Sequence, residues 1–161
     1  VRKTVIFPPM RGKDLDQKKE KKKLQVAVAL INTGIGLKPW QELNTIAHLN
    51  AAFGARVGKS LFFQDEIATE DNQKIKLNIQ HAIIIKTVSS SDALQSLAMD
   101  AKERNVEVSE FTSEMLETTN DKKVINLIQK KELKDVQYLG TLLFGEKELV
   151  EKLTQDFKLY E

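Results

Sequence analysis

The stretch LQVAVALINTGIGLKPWQELNTIAHLN (residues 24–50) decides the fold that this chain can adopt. Its first eight residues form a mostly apolar run of strand length, which predicts a strand buried on both faces. Two glycines, Gly34 and Gly36, follow as a turn. Pro39 suits the first turn of a helix, because its missing N–H has no intrahelical partner there. The apolar residues Trp40, Leu43, Ile46, Ala47, Leu49 and Ala51 then follow helical spacing, and Gly54 is expected to stop the helix. The stretch therefore predicts a strand, a turn and a helix.

The rest of the chain continues to alternate strands with helices. A loose hairpin with a turn at EDNQ is predicted within residues 61–79. Further strands are predicted at residues 82–88, 106–111, 136–145 and 157–160, and further helices from SSSD to near Asn105, at 121–131 and at 146–154. This order predicts an α/β fold of three α/β/α-like layers, with a mixed central sheet of four to five strands covered by helices.

The charge of the chain is distributed unevenly. The formal net charge is +2, but residues 1–23 carry nine Lys or Arg against three acids, and the remainder has a balance of −4. We therefore predict a basic N-terminal arm over residues 1–23 and a single α/β domain over residues 24–161. The arm is interpreted as a solvated linker, because no aromatic residues interleave its lysines. The alternative is electrostatic binding to nucleic acid or anionic lipid.

Composition excludes several classes of site. Without cysteine the chain has neither a disulfide nor a thiol nucleophile nor a thiolate metal site, and two histidines make a histidine-rich metal centre improbable. No cofactor motif is found, since Gly34 and Gly36 lack the third glycine of a dinucleotide fingerprint and no phosphate-binding loop motif is present. We expect no metal or cofactor. No apolar run is long enough to span a membrane, and a cytoplasmic location is expected.

Three residues of the predicted helix are candidates for a site. His48 and Asn44 lie four apart and would share a helical face, as a polar pair at the mouth of a pocket. The alternative for His48 is a half-buried residue satisfied by hydrogen bonds. Trp40 is either an anchor of the helix in the core or a platform for a ligand.

The order and spacing of these segments resemble a known family. LQVAVALINTGIGLKPWQELNTIAHLNAAFGA, EDNQKIKLNIQHAIIIKTVS and VQYLGTLLFGEKELVEKLTQDFKL are similar to segments of the bacterial "domain of unknown function" family numbered two thousand. The resemblance spans residues 24–159. That family is similar in fold to type II peptidyl-tRNA hydrolases, which cleave the ester between a peptide and tRNA. The resemblance implies the fold of these hydrolases.

The resemblance also implies a site on the first helix. The hydrolases open this helix with K-G-K-I-A-A-Q-x-x-H, and His48 matches the histidine of that motif. Gln41 stands where the second lysine is expected and Trp40 where the glycine is expected. Lys38 could replace the lysine only from a shifted position.

A second part of the implied site follows the strand at residues 106–111. Where the hydrolases have an acidic residue in a turn, this chain has Thr112 and Ser113, and Glu114 is one residue further along. The resemblance implies catalytic roles for His48 and Glu114, and binding roles for Lys38, Trp40, Gln41, Asn44 and Thr112.

Two functions are consistent with these residues. The first is hydrolysis of an ester such as peptidyl-tRNA, in which a basic group activates water and cations or N–H groups stabilise the oxyanion. The second is a non-catalytic module that binds a small ligand or a protein on the same fold, since the expected lysine and carboxylate are both replaced. Whether the chain is an enzyme is open at this level, as is a homodimer. Candidate partners are tRNA and a small molecule.

Overall fold

The apolar run at the start of the domain forms the central strand of the sheet. The computed structural model describes residues 23–161, so the predictions made for residues 1–22 lie outside the described residues. The strands are β1 (Gln25–Asn32), β2 (Glu66–Ala68), β3 (Lys74–Lys76), β4 (Ile83–Val88), β5 (Glu107–Thr112), β6 (Tyr138–Glu146) and β7 (Lys158–Leu159). The α-helices are α1 (Pro39–Val57), α2 (Ser91–Glu103), α3 (Ser113–Glu117), α4 (Asp121–Ile128) and α5 (Lys147–Thr154), and 3-10 turns occupy Gly58–Leu61 and Leu133–Asp135.

The main sheet contains five strands in the order β5-β6-β1-β4-β7. β1 and β4 are parallel, with Ala27 opposite Ile83, whereas β6 is antiparallel to both β1 and β5, and β7 is antiparallel to β4. The predicted mixed sheet is therefore confirmed. Because β1, β4 and β5 run in one direction, they end at the same edge, which we call the site edge, and begin at the opposite edge.

Helices cover both faces of this sheet. On one face, Leu49 and Phe53 of α1 pack in a core cluster with residues of β1, β5 and β6. On the other face, Leu94 of α2 and Val150 of α5 belong to a second cluster. Burial of each such side chain contributes about 1.5–3 kcal/mol to folding. The three-layer α/β arrangement expected from the sequence is present.

α1 lies directly on the backbone of the sheet at Gly140. A Cβ atom built on Gly140 would lie 2.8 Å from Cγ2 of Thr45 and 2.9 Å from the carbonyl oxygen of Leu30. The absence of a side chain in β6 thus lets the helix approach β6 closely, and this contact fixes the height of α1 above the strands that carry the site.

Several elements differ from their predictions. The hairpin is present as β2 and β3, and Asn72 in its turn has a φ of 62°, a conformation that asparagine tolerates. The prediction that Gly54 stops α1 is wrong, since the helix continues to Val57. α4 ends at Ile128 rather than at residue 131. The five-residue helix α3 was not predicted at all.

Candidate functional site

The loop that leads from β1 to α1 is held by a buried asparagine. Asn32 is fully buried, donates through Nδ2 to the carbonyl oxygen of Tyr138 (3.1 Å) and accepts through Oδ1 from the N–H of Gly34 (3.1 Å). A Cβ atom on Gly34 would lie 2.0 Å from the carbonyl oxygen of Ser89, so this loop touches the turn after β4. Gly36 has a φ of 67°, which confirms a glycine turn. Gly34 therefore allows the loop to contact Ser89, whereas Gly36 allows the positive φ of the turn.

α1 begins at the site edge with a cap formed by two predicted site residues. The N–H of Lys38 donates to Oε1 of Gln41 (2.8 Å), and the N–H of Gln41 donates to the carbonyl oxygen of Lys38 (2.8 Å). Gln41 thus satisfies backbone groups at the helix start, which is a structural use of the residue. The ammonium group of Lys38 has no ion-pair partner among residues 23–161.

Trp40, Asn44 and His48 lie on one face of α1, because they are spaced by four residues. The indole of Trp40 is 57% exposed, so the interpretation of Trp40 as a core anchor is wrong. His48 is exposed and its ring stacks on that of Phe111 in β5, with 5.0 Å between the ring centroids and 22° between the planes. The alternative of a half-buried His48 satisfied by hydrogen bonds is therefore wrong as well. We call Lys38, Trp40, Asn44 and His48 the α1 surface.

The residues that follow β5 form a second, buried part of the site. Thr112 and Glu114 are each 3% exposed, and the carboxylate of Glu114 forms an ion pair with the ammonium group of Lys131. Burial raises the pKa of the Glu114 carboxyl, but the hydrogen bond from Lys131 and the residue's own N–H lower it, and the net pKa lies below the usual value. The hydroxyl of Thr112 and Oε2 of Glu114 have no hydrogen-bond partner among the described residues.

The structure brings the two parts of the site to the same edge without joining them. His48 lies against Phe111, which immediately precedes Thr112. Between the α1 surface and Glu114, however, no hydrogen bond or ion pair is present within residues 23–161. The carboxylate of Glu114 is engaged by Lys131 instead. As a carboxylate with a lowered pKa it is a weak base, so the geometry does not favour its predicted catalytic role.

Sequence reasoning missed two residues that contact the predicted catalytic side chains: Lys131, which pairs with Glu114, and Phe111, which stacks with His48. Lys131 lies 17 positions from Glu114 and follows a different helix, and Phe111 was assigned only to a strand. Neither has a local signal, since their contacts depend on how β5, α1 and α4 pack together.

The described part of the chain contains neither a cluster of metal ligands nor a helix suited to crossing a membrane. No three side chains of His, Asp or Glu within residues 23–161 lie close enough together to hold a metal ion. Among the described helices, none combines the length and apolarity that crossing a membrane requires.

Comparison with known proteins shows the family to which the chain belongs. The family profile described as "Protein of unknown function (DUF2000)" matches residues 26–161, which is most of the chain. The chain belongs to this family. The resemblance to DUF2000 seen in the sequence is therefore confirmed, whereas the similarity to type II peptidyl-tRNA hydrolases stays a prediction.

Other comparisons give a fold and no activity for this DUF2000 domain. No curated protein matches the sequence. Among solved structures, a protein of unknown function from Agrobacterium tumefaciens is similar, with a TM-score of 0.72 and 19% sequence identity, and the match covers 85% of this chain and 98% of that chain. At this level of identity the similarity shows a shared fold alone.

Proposed function

We propose that this DUF2000 domain binds a small anionic ligand on the α1 surface and does not act on it chemically. One observation carries the proposal. The side chains of the α1 surface have no ion-pair or hydrogen-bond partner among residues 23–161, whereas the carboxylate that hydrolysis would need is paired with Lys131. The side chains of Lys38, Trp40 and His48 are exposed, and none has a hydrogen-bond partner among residues 23–161. Glu114 is buried in its ion pair with Lys131.

The groups of the α1 surface favour a ligand with an anionic end and a planar end. The ammonium group of Lys38 and the partial positive charge at the start of α1 attract an anion. The exposed indole of Trp40 offers a flat apolar face for a ring, and the amide of Asn44 can donate to and accept from an amide of the ligand. An N-acylated aromatic amino acid has all three features, so it is a suitable probe.

Titration with N-acetylphenylalanine tests this proposal. We expect saturable chemical-shift changes at the α1 surface in ¹⁵N–¹H spectra. Trp40→Ala should weaken binding about tenfold, since a stacked aromatic contact contributes roughly 1–3 kcal/mol. Leu43→Ala is the matched control, because Leu43 is an exposed apolar residue of the same helix (71%) outside this surface. Equal affinity of the Trp40→Ala variant and the unchanged protein would place the ligand elsewhere.

A second candidate is hydrolysis of an ester of the peptidyl-tRNA type, and the exposed imidazole of His48 favours it. The exposed imidazole of His48 can contact a water molecule, although no carboxylate within the described residues orients its ring.

A deacylation assay with N-acetylphenylalanyl-tRNA separates the two functions. A domain that only binds its ligand should release no more amino acid than buffer does. A hydrolase should show turnover that His48→Ala abolishes and that Leu43→Ala, which truncates an exposed residue of the same helix outside the α1 surface, leaves unchanged. Turnover with that pattern would overturn the non-catalytic proposal.

A further inference from the structure

A cavity lies at the opposite edge of the sheet from the α1 surface. Its volume is about 370 Å³, which lies within the range of about 300–1,000 Å³ of small-molecule sites. It opens where β1 and β4 begin and where the chain leaves the 3-10 turn after α1. Leu61, which is buried, is one of the residues that line it.

Polar side chains that are at least partly open to solvent line this cavity. Gln25, Gln80 and His81 line it, and their side chains form no hydrogen bond with any described residue. The ring of His81 packs edge-on against Phe144, with centroids 5.3 Å apart and planes at 74°. Two carboxamides and one imidazole together supply both donors and acceptors. A ligand that enters here therefore meets hydrogen-bonding groups of both kinds.

Two phenylalanines stand beside these polar groups. Phe62 and Phe63 both line the cavity, and Phe63 is 85% exposed. A phenyl ring exposed to this degree loses the benefit of burial, which is a recognised mark of a binding surface when other apolar groups adjoin it. The flat faces of these rings suit a planar ligand by stacking.

The charges at the rim favour a neutral ligand. Lys23 lines the cavity, but its ammonium group is paired with the carboxylate of Glu146 at 2.8 Å. Among the described residues that line the cavity, no side chain is acidic, and the ammonium group of Lys23 is paired. A phosphate or carboxylate would have to compete with Glu146 for Lys23, whereas an uncharged ring would not.

We infer that this cavity binds a neutral, planar heteroaromatic ligand that carries hydrogen-bond donors and acceptors in the plane of its ring, as nucleobases do. Phe62 and Phe63 stack on the ring, and Gln25, Gln80 and His81 bind its edge. This site is independent of the α1 surface, which lies at the other edge of the sheet and favours an anion.

Titration with adenosine and uridine, observed in ¹⁵N–¹H spectra, tests the inference. We expect saturable shifts at Gln80, His81 and Phe62 and none at Trp40 or Asn44. Phe63→Ala should weaken binding about tenfold, since stacking of a base on an aromatic side chain contributes roughly 1–3 kcal/mol. Gln80→Leu should also weaken it, because the edge of the base then loses a partner.

Ile75→Ala is the matched control, since Ile75 is an exposed apolar residue of the neighbouring hairpin that does not line this cavity. Methyl glucoside, which has hydroxyl groups but no aromatic ring, should produce no shifts. Absence of saturable shifts with both nucleosides would overturn the inference. So would equal affinity of the Phe63→Ala variant and the unchanged protein, with thermal unfolding showing that the variant is folded.

Discussion

Replacing Gly34 by alanine should lower the free energy of unfolding by about 3 kcal/mol, at the upper end of the usual cost of overpacking. The added Cβ would lie 2.0 Å from the carbonyl oxygen and 2.8 Å from the carbonyl carbon of Ser89. Both are backbone atoms, so no side-chain rotation can relieve the clash. The loop before α1 and the turn after β4 must therefore move apart. This movement weakens the hydrogen bond that the N–H of Thr33 donates to the carbonyl oxygen of Val88 (2.9 Å). Urea denaturation measures the loss.

Two other glycines serve as controls for this prediction. Gly36 has a φ of 67° but open space around its Cβ position, so Gly36→Ala should cost only about 1–2 kcal/mol of backbone strain. Gly54 lies inside α1 with nothing within 4 Å of its Cβ position, so Gly54→Ala should raise the free energy of unfolding by about 0.5–1 kcal/mol. A Gly34→Ala variant as stable as the unchanged protein would show that the two turns are not in contact.

The fold was predictable because its signals are local. The apolar run of β1 and the alternation of strands with helices require no knowledge of distant contacts. The helix α3 was missed because five residues are too few to show a periodic pattern. The early end of α4 was missed because the apolar spacing near Ile128 does not show where the helix stops.

The orientation of α1 was harder to predict, because apolar residues occur on more than one of its faces. Trp40 and Leu43 fit helical spacing and were counted with the apolar positions of the helix, yet both are exposed. The residues buried against the sheet are Thr45, Leu49 and Phe53, which are also spaced by four. Gly140 favours this face, since its missing side chain lets both Thr45 and Leu49 lie close to β6.

The chemistry of the site could not be read from local sequence. His48 was located correctly as a residue of α1, but its environment depends on Phe111, which is distant in the chain. The resemblance to the hydrolases implied a catalytic role for Glu114, whereas its ion pair with Lys131 depends on the packing of α3 against α4. The role of Gly34 likewise depends on Ser89 in another loop.

Replacing Glu114 by glutamine should lower the free energy of unfolding by about 1–3 kcal/mol. Loss of one partner from a buried ion pair costs about 3–5 kcal/mol, and the value here is smaller because the Lys131 side chain is 36% exposed. Lys131→Met should also destabilise the protein, since it leaves the buried carboxylate unpaired. The double variant Glu114→Gln with Lys131→Met should lose less stability than the sum of the single variants, because both remove the same interaction.

A surface pair in the same segment provides the control. Lys134 and Glu132 form an ion pair whose side chains are both mostly exposed, so Glu132→Gln should leave the free energy of unfolding unchanged. If Glu114→Gln were equally neutral, the ion pair would contribute nothing to the fold and Glu114 would be free to act in catalysis.

The pH dependence of stability distinguishes an ion pair from simple packing at Glu114. The pKa of Glu114 is lowered in the folded state, so its contribution is fully present above the unfolded pKa of about 4.3 and is lost as the pH falls through the folded pKa. The pKa of Lys131 is raised in the folded state by the hydrogen bond to Glu114. The contribution of Lys131 to stability is therefore fully present below its unfolded pKa of about 10.4 and is lost as the pH rises through the folded pKa.

The difference in stability between the unchanged protein and Glu114→Gln should therefore be constant from about pH 5 to about pH 10 and shrink below pH 4. Denaturation at a series of pH values measures it. A difference that stays constant down to pH 2 would mean that the glutamine variant is destabilised by lost packing and not by loss of charge. A constant difference at neutral pH, together with its disappearance in acid, would show that Glu114 is a carboxylate held in its ion pair with Lys131, where it is a weaker base than a free carboxylate.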